Sequence, residues 1–114
     1  MDDAETLNRV FAALADPTRR AILARVARCE ATVSELAEPF GLRQPTISKH
    51  LKVLEEAGLL THSRDAQRRP RRLAEGAFKD VDAWLEPFRK QWEARLDNLD
   101  TYLARTKEKK TKRK

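Results

Sequence analysis

Residues Gly41 to Leu60 read GLRQPTISKHLKVLEEAGLL, and the spacing inside this stretch decides the fold. Gly41 and Pro45 bracket a short break. Ile47, Leu51 and Leu54 then mark one side of a helix running from about Gln44 to Ala57, with Gly58 at its end. Upstream, Thr32-Val33-Ser34-Glu35 has the spacing of a capping box, in which threonine and glutamate satisfy one another's free backbone amides. It opens a short helix with apolar contacts at Val33, Leu36, Ala37 and Phe40. Gly41 supplies the left-handed stop that residues with a side chain rarely adopt. Ala37 must be small where the two helices cross, and Ile47 is the branched residue that locks the second against the first. Two short helices joined this way predict a helix-turn-helix.

The outer face of the second helix then has a definite chemistry. With Ile47, Leu51 and Leu54 turned inward, about 100° per residue places Pro45, Lys49 and Lys52 opposite, flanked by Thr46 and Ser48. Gln44 points outward at the N-terminal end. A major groove admits a helix of this size, and its first turns reach base edges. Glutamine can pair with adenine, threonine can meet a thymine methyl, and lysine can reach guanine or phosphate. Such a face on its own is commonplace. The arginines that follow it, Arg64, Arg68, Arg69, Arg71 and Arg72, shift the balance toward DNA, because a hairpin would bring them beside the helix to hold phosphates.

Around this centre the chain reads as mainly helical. Leu7, Val10, Phe11 and Leu14 lie on one face of a first helix. Asp16 followed by Pro17 starts a second, with Ile22, Leu23 and Val26 on its buried side. Leu59 to Arg64 reads as a strand and Arg71 to Ala74 as its weaker partner, with Pro70 removing one ladder amide. A long amphipathic stretch from about Ala77 to Thr106 carries Val81, Trp84, Leu85, Phe88, Trp92, Leu96, Leu99 and Leu103. Pro87 is expected to kink or divide it. Residues 1–106 are expected to form one domain, and 107–114 a disordered basic tail.

At 114 residues and a formal charge of +6, the positive potential sits in two places. Arg64 to Arg72 carries +4 and Lys107 to Lys114 carries +5, on a body of −3. Patches of this kind attract polyanions. No apolar run long enough to span a membrane occurs, and the single cysteine, Cys29, agrees with a reducing compartment. A cytoplasmic protein is expected. Cys29, His50 and His62 are too few and too scattered for a zinc site. Neither a nucleophile–base–orienter set nor a phosphate-cradling glycine loop is present, so no catalytic residue, metal or cofactor is expected.

ALADPTRRAILARV (Ala13 to Val26) followed by ATVSELAEPFGLRQPTISKHLKVLEEAGLL (Ala31 to Leu60) resembles the winged helix-turn-helix repressors of the arsenical-resistance (ArsR/SmtB-type) family. The resemblance covers roughly residues 5 to 75 and is most specific in SKHLKVLEEAGL. Trp84 to Asp97 is similar to a branch without metal sites. The resemblance implies a homodimeric prokaryotic transcriptional regulator, usually a repressor. It implies that Gln44, Thr46, Ser48, Lys49 and His50 face DNA, with Lys52 from the helix geometry alone. It also implies a departure: metal-sensing members carry cysteines where this chain has Thr32 and Ser34. Arg43 stands where the family usually has a small hydroxyl, so a weak helix cap is expected.

The last helix is too apolar for so small a domain to cover. Leu7, Phe11, Trp84, Phe88, Trp92, Leu96, Leu99 and Leu103 are therefore expected to form a dimer seam, since each such side chain left wet forgoes roughly 1.5–3 kcal/mol. A two-fold dimer on double-stranded DNA implies a near-palindromic operator. Two rivals stay open: an RNA-binding module using the same basic patches, and an interaction adaptor whose long helix does the work. A small-molecule inducer also stays open, its identity unwritten in the residues.

Overall fold

The computed structural model describes the backbone of residues 3–63 and 68–112, and the side chains of 4–63 and 68–107. Its elements run α1 (Asp3–Leu14), α2 (Pro17–Arg28), α3 (Val33–Phe40), α4 (Gln44–Glu56), β1 (Leu60–His62), β2 (Arg71–Leu73) and α5 (Lys79–Lys112). The expected mainly α winged helix-turn-helix, with a two-stranded wing and a long C-terminal helix, is what forms. The chain divides into two compact units between Val81 and Asp82.

In the first unit, the Asp16 to Arg20 segment ends one helix while starting the next. Asp16 is extended, and its carboxylate accepts from the Arg19 amide at 2.9 Å, with Pro17 in the first turn needing no acceptor. The same arginines reach back. Arg19 Nε donates to the Ala13 carbonyl at 2.7 Å, and Arg20 Nη1 donates to that of Leu14 at 2.7 Å. These are last-turn carbonyls of α1 that have no partner within their own helix, and a cation is favoured at that negative end.

Ile22, Leu36, Ile47, Leu51, Leu54 and Leu59 are fully buried, with Val10, Leu23, Val26 and Leu60 beside them. Leu14, Val33, Ala37, Phe40, Leu73 and Val81 pack around that core. Each large side chain withdrawn from water contributes roughly 1.5–3 kcal/mol. The inward stripe of α4 is thus the centre of the unit, and its polar face is left outside.

The wing pairs antiparallel, with Leu60 opposite Leu73, Thr61 opposite Arg72 and His62 opposite Arg71. Both strands are shorter than expected. Pro70 immediately precedes β2, and although it has no amide, its carbonyl still accepts from Ser63 at 3.2 Å. On its other edge β2 pairs with Ala31: the Arg71 amide donates to the Ala31 carbonyl at 2.7 Å, and the Ala31 amide to that of Arg71 at 3.0 Å.

The second unit is α5 beyond Val81. Pro87 lies within this helix and does not divide it. The loss of one amide is small against a ladder of this length. α5 runs on to Lys112. The Trp84 and Phe88 rings, one turn apart, meet with centroids 4.9 Å apart and planes tilted by 47°. Arg89 binds Asp82 at 2.6 Å and Glu86 at 3.1 Å along the polar side.

Candidate nucleic-acid interface

The turn between α3 and α4 sets the direction of α4. Gly41 has φ 63° and ψ 29°, its amide donates to the Glu38 carbonyl at 3.0 Å, and the Leu42 amide donates to that of Ala37 at 3.1 Å. Left-handed backbone at this point closes α3 and turns the chain into α4. At the other end of α3 the capping box is complete. Glu35 donates its amide to the Thr32 hydroxyl at 3.2 Å, and the Thr32 amide donates to the Glu35 carboxylate at 3.1 Å. The Thr32 amide, and after it the Thr32 hydroxyl, hold the Glu35 carboxyl below its ordinary range.

Arg43 at the start of α4 is extended and makes no side-chain cap, as expected. Its carbonyl accepts from Thr46 at 3.0 Å and Ile47 at 3.1 Å, and Pro45 has no amide to satisfy. A missing cap therefore leaves little unpaired.

The recognition-helix residues fall into two groups. Thr46, Ser48, Lys49 and Lys52 are exposed, while Ile47, Leu51 and Leu54 are fully buried behind them. Gln44 is also exposed, and its side-chain amide donates to the Ser34 hydroxyl at 3.2 Å. His50 stands apart. It is half-buried on the flank of α4, with Nδ1 4.0 Å from the Asp16 carboxylate at the start of α2. That carboxyl lies below its ordinary value chiefly because the Arg19 amide donates to it.

The wing arginines also separate. Arg68, Arg69 and Arg72 are exposed. The Arg71 side chain is only 15% exposed. Its Nε donates to Glu55 of α4 at 2.8 Å and its Nη1 to the Arg69 carbonyl at 2.8 Å. Arg64 lies outside the described residues. Arg68, Arg69 and Arg71 meet Gln44, Thr32 and Ser34 around an open concavity of about 570 Å³. The partners that sequence reasoning missed are Ser34 and Glu55. Ser34 precedes Gln44 by ten residues and Glu55 precedes Arg71 by sixteen, and no local pattern joins either pair.

Of the residues expected at a dimer seam, Leu7 is half-buried and Phe11 is exposed on α1. Trp84, Phe88, Trp92, Leu96, Leu99 and Leu103 are all exposed on α5, Trp92 at 64%. Chemically, the outer face of α4 offers hydroxyls and ammonium groups beside an amide and guanidinium groups. These are donors matched to phosphates and base edges.

The helix-turn-helix domain family HTH_20 matches residues 14–63. Over 61 residues the chain is 39% identical to the transcriptional repressor SdpR of Bacillus subtilis, an alignment covering 54% of this chain and 68% of that protein. The crystal structure of an ArsR-family transcriptional regulator superposes with a TM-score of 0.69 at 43% identity, covering 79% of this chain and 93% of that one. A solution structure of a homodimeric winged helix-turn-helix DNA-binding domain from Mycobacterium bovis superposes with a TM-score of 0.60 at 28% identity, covering 79% and 81%. This chain spans from half to about two thirds of the length of the first curated relatives it matches.

Proposed function

The chain belongs to the ArsR family of winged helix-turn-helix transcriptional regulators, and from that premise we propose that it is a homodimeric, sequence-specific repressor reading duplex DNA with the outer face of α4. One observation carries this reading. Ile47, Leu51 and Leu54 are wholly buried, so that Thr46, Ser48, Lys49 and Lys52 are presented together, on the helix next to a wing with Arg68, Arg69 and Arg72 exposed. Thr46, Ser48 and Gln44 supply base-edge contacts, Lys49 and Lys52 reach guanine or phosphate, and the wing arginines hold the backbone. His50, turned toward Asp16, has no base-reading role in this scheme.

Dimerisation follows from α5. Exposed tryptophans, phenylalanine and leucines spaced three or four residues apart form an apolar face longer than a monomer ordinarily leaves wet. The homodimeric relative supports the same assembly. Two copies place two α4 helices about one DNA turn apart, roughly 34–36 Å, on a near-palindromic operator. Metal sensing has no part in the proposal, since Thr32 and Ser34 offer hydroxyls already engaged with the Glu35 amide and with Gln44. No helix among the described residues is long and apolar enough to cross a membrane, and the proposed work lies with DNA in the cytoplasm.

Competition between duplex and single strands of the same sequence tests the function. Preferential retention of the duplex is expected, with affinity falling steeply as salt rises. Equal retention of a single strand would favour an RNA-type binder, and binding of neither would leave α5 as an interaction surface.

A further inference from the structure

The wing arginines have unequal surroundings. Arg71 is held on three sides: its backbone pairs with Ala31, its Nε meets Glu55, and its Nη1 meets the carbonyl of Arg69. Glu55 sits in the last turn of α4, and its other oxygen faces His62 Nδ1 at 3.7 Å. His62 is the residue opposite Arg71 in the wing register. One carboxylate of the recognition helix therefore gathers both strands of the wing.

Arg69 has φ 42°, a left-handed conformation that residues with a side chain rarely adopt. It is the only such non-glycine residue among those described. Its carbonyl is the one that the Arg71 guanidinium grips. The bend at Arg69 leads the chain from Arg68 into Pro70 and β2, so Arg71 fixes the segment that carries the exposed cations. Those cations, Arg68 and Arg69, border the concavity shared with Thr32, Ser34 and Gln44.

We propose that Glu55 and Arg71 form a strut between the recognition helix and the wing, with Arg71 a positioning residue and Arg68 and Arg69 the cations it places on a DNA phosphate. The part concerning phosphate rests on the DNA-binding function proposed above; the strut itself does not. A fork of donors suits Arg71 to this role, because two of its nitrogens bind different acceptors at fixed angles, which a lysine cannot do.

The strut has a consequence opposite to simple electrostatics. Glu55 is an acid beside a surface meant for a polyanion. Replacing it with glutamine raises the net charge by one, and charge alone would then strengthen binding to every duplex. A strut predicts the reverse.

The test uses Glu55→Gln, Arg71→Gln and Arg71→Lys in the full chain, with two measurements. Hydrogen exchange without DNA is expected to rise about tenfold at the Ala31 and Arg71 amides in all three variants, while the Leu51 and Leu54 amides keep wild-type protection. Operator affinity is expected to fall about tenfold or more in all three, the lysine variant included, because misplacing the cations costs more than one charge returns. Unchanged exchange, with Glu55→Gln binding DNA as tightly as wild type or tighter and Arg71→Lys binding like wild type, would overturn the strut. If exchange rises but wild type itself ignores duplex DNA, the strut stands and the DNA-binding function fails.

Discussion

Gln44 donates its side-chain amide to the Ser34 hydroxyl across 3.2 Å, tying the first residue of α4 to the first turn of α3. The two helices of the motif are therefore joined by a polar contact at their exposed edge as well as by the apolar one behind it. A side chain held in place before binding loses less freedom when it meets a base. Replacing Gln44 with alanine is expected to cost about 1–3 kcal/mol of discrimination at one base pair. Ser34→Ala should weaken operator binding by less and leave the base preference intact. Titrations against single-base operator variants check both.

The two cationic groups should separate specificity from affinity. Thr46→Ala with Lys49→Ala is expected to reduce the preference for operator over random duplex. Arg68→Ala with Arg69→Ala should weaken all duplexes alike and lower the slope of log affinity against log salt, by about 0.9 for each phosphate no longer neutralised. Should both double variants bind every duplex like wild type, DNA is read by some other surface.

Gly41 is needed for its backbone conformation rather than for space around it. A Cβ built there meets no atom within 4 Å, yet its φ is 63°. Gly41→Ala should therefore destabilise by about 1–2 kcal/mol through backbone strain alone, with asparagine costing less. Each kcal/mol lowers Tm by about 4–8 °C in a domain of this size. Thermal unfolding of the two variants would show it.

Acid should loosen the helix starts. The carboxyls of Asp16 and Glu35 titrate below their ordinary values because backbone amides donate to the charged forms: that of Arg19 to Asp16, that of Thr32 to Glu35. A depressed folded pKa adds stability that is fully present above the unfolded value and is lost as pH falls through the folded one. Wild type is thus expected to lose stability as pH drops below the ordinary carboxylate range. Asp16→Asn, which keeps a capping side chain without the charge, should flatten that acid limb. Denaturant midpoints measured across pH would reveal no difference if the cap were idle.

Much of this was legible in the chain because the relevant rules are local. Asp16-Pro17, the Thr32 to Glu35 box and Gly41 each fix a helix end through residues at most five positions apart, and all three form as read. The inward stripe of α4 follows from helical period alone. The unreadable parts join distant segments. Nothing near Arg71 says that Glu55, sixteen residues earlier, will capture its guanidinium, so it reads as one more exposed cation. The approach of His50 to Asp16, thirty-four residues earlier, is likewise absent from any local pattern. The pairing of β2 with Ala31 depends on α2 delivering that residue to the wing's edge. Pro87 was legible as a disturbance, but the rest of a long helix holds through it.

The dimer can be tested without DNA. Trp92→Glu or Leu96→Glu places a charge on the exposed apolar face of α5. Sedimentation at micromolar concentration is expected to show wild type as two chains and either variant as one, with the first unit still folded. Identical sedimentation of all three would remove α5 from the interface.

Nuclease protection of the duplex upstream of the protein's own gene tests the central claim most directly. Two protected patches are expected on one side of the helix, centred about one turn apart, roughly 34–36 Å. They should be bound by two chains per duplex and be lost as salt is raised. Absence of protection in dilute buffer, or a single patch bound by one chain, would contradict it.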